Sequence, residues 1–218
     1  MIGIKSAEDI EKMKAGGIIL SGILSLLAKK CVVGANTEDL DKLAQEEMAK
    51  AGGKPSFLNY QIHSSDPPYP SAVCISINDE VVHGPAVPNR VIKNGDIVKM
   101  DIGFWYQGMA TDMACTILAG DVTEAARELS RETRRSLEIA LETVHDGSWV
   151  HDIGKAIQNY LEPKGFGIIR DLVGHGVGYA VHEDPQIPHF HDRRQPPVKL
   201  KAGMCLAIEP MVAMGDWR

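Results

Sequence analysis

Cysteine is sparse and scattered: Cys31, Cys74, Cys115 and Cys205 are the four present in 218 residues, and no two form a C-x-x-C pair. Neither a zinc ribbon nor a thioredoxin-type redox motif is written here, and dispersed thiols suit a reducing cytosol. Long apolar runs are missing too. The longest, Gly17 to Ala28, falls short of the ~20 residues that cross a bilayer. The opening Met1-Ile-Gly-Ile-Lys-Ser carries no basic-then-apolar leader, so the expected localisation is cytoplasmic, without a membrane partner. Positive charge is in deficit, with Lys+Arg 23 against Asp+Glu 29 and a net charge of -6, which argues against direct nucleic-acid binding through overall charge. What remains is ordinary globular material: 44% hydrophobic and 24% charged residues, in a chain long enough to bury roughly 70% of its unfolded surface without disulfide staples.

Ser6, followed by Glu8 and Asp9, is an N-cap signal, and residues 7 to 30 carry apolar side chains at helical spacing. A second helix is expected from Thr37 to Ala51, ended by Gly52-Gly53, and then a long loop marked by Pro55, Pro67, Pro68 and Pro70. Strands are expected at Ser71 to Ile77, Asp96 to Phe104 and Ala110 to Ala119, the last two joined as a hairpin through Tyr106-Gln-Gly108. After Asp121 the order restarts, with helices at Thr123 to Val144 and Val150 to Lys164. Strands follow at Ile168 to Val173 and Met204 to Met214, with a Pro-rich loop (Pro185, Pro188, Pro196, Pro197) between them. No residue-by-residue repeat accompanies this likeness of the halves, about 1–120 and 121–218. Where the first half adds a returning strand, the second has Gly215, Asp216, Trp217 and Arg218; the expectation is that one strand is missing.

Asp101 and Asp112 interrupt the two runs that otherwise read as buried strand. Placed symmetrically about Tyr106-Gln107, they face one another across the hairpin. A buried carboxylate is costly unless paired, protonated or metal-bound. The pair is either a divalent-metal pair or the charged face of an exposed edge hairpin. His175 is framed by glycines in Gly174-His-Gly176-Val-Gly178, where missing side chains admit a ligand or a neighbouring backbone. Alone it reads as a hydrogen-bonded loop histidine. Taken with Asp101, Asp112 and Glu209, the last in Ala207-Ile-Glu209-Pro210, it completes the mixed N/O donor set of a hydrolytic metal site. His182 in His182-Glu-Asp-Pro185 and His83 in Val81-Val-His83-Gly84-Pro85 stand nearby in motif order. The cysteines read as small core residues, with Cys74 also placed to line a pocket.

YPSAVCISINDEVVHG, KMDIGFWYQGMATDMACT, GHGVGYAVHEDPQIPHF and LKAGMCLAIEPMV, in this order, resemble type I methionine aminopeptidase from about residue 3 to 214. With no zinc-binding N-terminal extension in front, the chain is similar to the short bacterial form. The resemblance implies an α/β (α+β) pita-bread fold: two pseudo-symmetric helix-helix-strand halves around a central antiparallel sheet, the second truncated, forming one catalytic domain over 1–218. It implies a divalent metal (Co, Mn, Fe or Zn) held by Asp101, Asp112, His175 and Glu209, with Asp112 bridging two ions. It makes His182 and His83 catalytic and assigns the methionine pocket to Cys74, Tyr69, Tyr60 and, in place of a common aromatic, Val181; His83 also contacts the substrate's peptide group. The family's second bridging glutamate, on a C-terminal strand, has no counterpart here. Three carboxylates against two divalent ions predict one metal bound well and a second weakly. The expected activity is removal of N-terminal methionine from nascent proteins and peptides, impaired by that gap, with a ribosome as further partner. The alternatives are an inactive peptide-binding module, a fragment of a longer product, and a proline-specific metallopeptidase.

Overall fold

A computed structural model describes residues 2–61 and 63–218. The chain divides into two compact units, one spanning Glu8–Thr123 and the other combining the residues up to Ala7 with Glu124–Arg218. The division falls between Thr123 and Glu124, and the first few residues belong with the C-terminal unit.

In the Glu8–Thr123 unit, α1 (Ala7–Lys30) buries Gly16, Leu20, Ile23, Leu24 and Leu27, one helical stripe with i, i+3 and i+4 spacing. The next helix, α2 (Thr37–Lys50), contributes Leu40, Ala44 and Met48 from a second such stripe. Both join a core with Val73, Ile75, Met100, Ile102 and Phe104. Asp41, on α2, is buried because its Oδ1 accepts the N–H groups of Ala72 and Val73, at 2.7 and 2.9 Å. That contact anchors the helix to the start of the sheet. The strands are β1 (Lys54–Pro55), β2 (Val73–Ile77), β3 (Ile97–Tyr106) and β4 (Met109–Leu118). All pairings are antiparallel, with β3 bonded to β1, β2 and β4.

The hairpin turn is tighter than expected. Tyr106 pairs with Met109, leaving Gln107 (φ 50°) and Gly108 (φ 81°) as the two turn residues. Positive φ at both positions is the signature of a type I′ turn, whose twist matches that of the strands. In this register Asp101 faces Ala114 and Asp112 faces Gly103. The carboxylates are therefore diagonal neighbours on one face rather than direct partners.

The second unit has α3 (Glu124–Glu142) and α4 (Val150–Leu161), followed by a single 3₁₀ turn at Glu162–Lys164 that Gly165 closes at φ 82°. Its core holds Val150, Ile153, Ile157 and Leu161 from α4, with Phe166, Ile168, Ile187, Phe190 and Leu200. The strands are short: β5 (Phe166–Ile168), β6 (Gly174–Gly176), β7 (Glu183–Ile187), β8 (Leu206–Ala207) and β9 (Val212–Met214). They form a β5–β9 pair and a three-stranded sheet in the order β7–β6–β8.

Two expected strands are corrected. Of Ile168–Val173 only Ile168 is in a strand, since Arg170 and Asp171 turn outward to solvent. Met204–Met214 breaks into β8 and β9 around Glu209 and Pro210, where proline supplies no N–H to a ladder. Conversely, β7 was hidden in the stretch expected to be a Pro-rich loop.

Candidate metal centre

Each unit assembles its own share of the expected residues. In Glu8–Thr123 the hairpin offset still brings Asp101 and Asp112 to one face, because residues at i and j±2 on paired strands share a side. Gly103, opposite Asp112, lets Ser56 and Phe57 pack against the strand: a Cβ there would fall 1.9 Å from Ser56 Oγ. Cys74 pairs with Asp101 across β2 and β3. Its thiol is pushed up strongly, first by burial and then by the Asp101 charge, with Asp112 adding to the effect.

Tyr69 stands over this corner. Its hydroxyl donates to the Gly84 carbonyl at 3.0 Å, and burial, then the neighbouring Cys74, pushes the phenol up. Tyr60 joins it through a backbone bond from Tyr69 N–H to Tyr60 O at 2.9 Å, with Asn59 N–H returning to Tyr69 O at 2.8 Å. His83 adopts φ 58°, a left-handed conformation uncommon outside glycine. It is held there by its neighbour: the Gly84 carbonyl accepts Ile75 N–H at 2.7 Å, and Gly84 N–H donates to Ser76 Oγ at 3.0 Å. His83 keeps an exposed surface, yet enough protein surrounds it that desolvation lowers its pKa from the ordinary value. The glutamate beside it, Glu80, is engaged by Arg90 at 2.7 Å.

In the other unit His175 lies on β6, paired with Ala207 of β8. The flanking glycines admit backbone rather than ligand. A Cβ at Gly174 would meet Ala207 O at 2.4 Å, and one at Gly176 would meet Asp184 O at 2.3 Å. His175 Nδ1 lies 2.8 Å from the Gly176 carbonyl, which makes it the protonated nitrogen. Nε2, the nitrogen left for a ligand, stands 3.4 Å from Glu209 Oε1. Metal-binding histidines commonly give their other ring N–H to a backbone carbonyl in this way. The exposed His182 packs edge-on to His175 with centroids 4.5 Å apart, while Val181 is 5% exposed.

The residues present fit a divalent ion by donor type and by the His175 Nδ1 contact with the Gly176 carbonyl. Among the described residues, no group of three or more His, Cys, Asp and Glu side chains is gathered closely enough to hold one as it stands. Each unit brings together one pair: Asp101 with Asp112 on one face of the hairpin, and His175 with Glu209 at 3.4 Å. A concavity of about 500 Å³ bounded by Gly52, Gly53, Lys54, Trp105 and Gly108 contains none of the expected residues. One residue escaped sequence analysis: His189, fully buried, accepts Glu209 N–H on Nε2 at 3.2 Å, and desolvation lowers its pKa to about 4. Its signal was present in the PQIPHF motif, but no charged or glycine neighbour set it apart.

Residues 11–218 match Metallopeptidase family M24. The chain is 41% identical to methionine aminopeptidase of Aquifex aeolicus over 98% of its own length and 83% of that protein's. Among solved structures it resembles methionine aminopeptidase from Thermotoga maritima with a TM-score of 0.93 and 43% identity, covering 100% of this chain and 85% of that one. Prolidase from Pyrococcus furiosus has a TM-score of 0.76 at 24% identity, covering 95% of this chain and 57% of that one, a likeness of fold alone. The match across nearly the whole chain, joined to this identity with relatives that it largely spans, establishes that the chain belongs to metallopeptidase family M24, among its methionine aminopeptidases.

Proposed function

We propose that the chain removes the N-terminal methionine from nascent proteins and peptides as a single catalytic domain over residues 1–218, working in the cytoplasm with the nascent chain, and the ribosome beside it, as partners. The observation that carries this reading is the His175–Glu209 pair at 3.4 Å, with His175 Nδ1 committed to the Gly176 carbonyl. His175, Glu209, Asp101 and Asp112 are proposed as the residues that would hold the metal. Among the described residues no helix is long and apolar enough to cross a membrane.

A divalent ion held by these residues supplies Lewis acidity and a water acidic enough to act near neutral pH. The side chains do the rest. His182, exposed beside His175, hydrogen-bonds the scissile amide. His83, neutral at pH 7 because desolvation lowers its pKa, contacts the substrate peptide group and takes part in moving its proton. Tyr60, Tyr69, Cys74 and Val181 line the methionine pocket, and with burial keeping Tyr69 and Cys74 uncharged it suits an apolar thioether. Cobalt, manganese, iron and zinc all accept this donor mixture. Three carboxylates balance one divalent ion but not two, so one is held well and a second weakly.

Titrating the metal-stripped chain with each ion while following methionine release from Met-Ala-Ser tests the proposal. Release that rises with metal and disappears in Asp112→Ala is expected. Release equal in the two proteins overturns it.

A further inference from the structure

We propose that His189 is a positioning residue for the metal-ligand carboxylate of Glu209, fixing the backbone from which that side chain projects. The inference rests on Glu209 being a ligand, as above.

Glu209 occupies the break between β8 and β9, where no ladder holds the chain and Pro210 has no N–H. On either side the chain is held by the pairing of Ala207 with His175 and by Ile169 N–H to Met211 O at 3.0 Å. Between them, the Glu209 N–H donates to His189 Nε2 at 3.2 Å. An imidazole nitrogen that accepts a bond is unprotonated, so the ring hydrogen of neutral His189 sits on Nδ1. That atom is buried and has no hydrogen-bond partner among the described residues. The ring's polar contact is thus the one to Glu209, and an apolar side chain filling the same space would avoid an unsatisfied buried N–H.

The surroundings fix the ring. Pro188 to Phe190 press against α4 at Gly154, where a Cβ would stand 2.4 Å from both the Pro188 and Phe190 carbonyl oxygens. On another side Gly174 makes room, since a Cβ there would come within 3.2 Å of His189 Nε2. His189 therefore links the backbone packed on α4 to the one backbone N–H whose placement sets the Glu209 carboxylate against His175.

Four variants test this: His189→Leu, His189→Gln, His189→Asn and Glu209→Gln. Cobalt(II) affinity is read by calorimetry, the visible cobalt absorption reports ligand geometry, and circular dichroism melting reports folding. His189→Leu is expected to weaken cobalt binding about 10- to 100-fold and to alter the absorption band. His189→Gln, whose Oε1 reaches the place of Nε2, restores affinity to within about threefold of the parent. His189→Asn, one methylene shorter, does not. An unchanged affinity and band in His189→Leu overturn the inference. If that variant does not fold, equal affinities in His189→Gln and His189→Asn overturn it instead. Unaltered cobalt binding in Glu209→Gln refutes the ligand assignment itself, a separate failure from loss in Glu209→Gln with no loss in His189→Leu.

Discussion

His175 has two nitrogens, and the fold decides between them. With Nδ1 on the Gly176 carbonyl, the proposed ligation falls to Nε2, and a substitute that lacks this geometry should not replace it. His175→Ala is expected to lower kcat/KM for methionine release by more than about 100-fold, beyond the cost of losing an outer partner of a metal ligand. Asp112→Asn keeps the shape of the side chain but removes its charge, and manganese calorimetry should show binding weakened at least about tenfold. Asp101, Asp112, His175 and Glu209 stood out as candidates on reading alone because each breaks an apolar or glycine-rich run, and a charge there demands an explanation. His189 gave no such sign. Its burial comes from α4 and from the room left by Gly174, both of which are tertiary facts.

At the scale of the element, the β3–β4 hairpin shows why composition locates strands better than it sets their register. Two acidic residues equidistant from an assumed turn looked like direct partners, but a two-residue turn at Gln107-Gly108 moves them to a diagonal. Gly108 has φ 81° and nothing within 4 Å of where a Cβ would stand, so Gly108→Ala meets backbone strain alone. Destabilisation of about 1 kcal/mol is expected, visible as a lower urea midpoint with unchanged slope. The helices were legible nearly to the residue because caps and apolar stripes are local. The strands β5 to β9 were not, being two to five residues long and defined by their neighbours.

Helix α3 carries a further test. Glu132 is largely buried and is bonded by Lys164, by Tyr160 at 2.8 Å and by Arg131 at 3.1 Å. The Lys164 bond, then the Tyr160 bond, lower its carboxyl from 4.5 to about 2. A depressed carboxyl contributes stability above its ordinary pKa, and that contribution fades as pH falls from 4.5 towards 2. Glu132→Gln should therefore melt lower than the parent at pH 7, with the two melting curves converging near pH 2. A constant gap across that range would contradict the assignment.

For the whole molecule, the family's dependence on metal couples ligand to stability. Chelation should abolish methionine release. Restoring an ion to a hundred times its Kd adds about 2.7 kcal/mol to the unfolding free energy through mass action. A higher melting temperature in manganese, smaller in Asp112→Asn, is the expected result.

Lys5 is buried against Glu183 at 2.6 Å, 178 positions away in the chain, and its N–H donates to Gly203 O at 2.8 Å. A ribosome releases a polypeptide from its amino end, and domains tend to fold in that order. Residues 8 to 123 form a compact unit of their own and can consolidate while translation continues. The strap around Lys5 has to wait for residues made far later, so maturation of this protein finishes by gathering in the segment that was synthesised first.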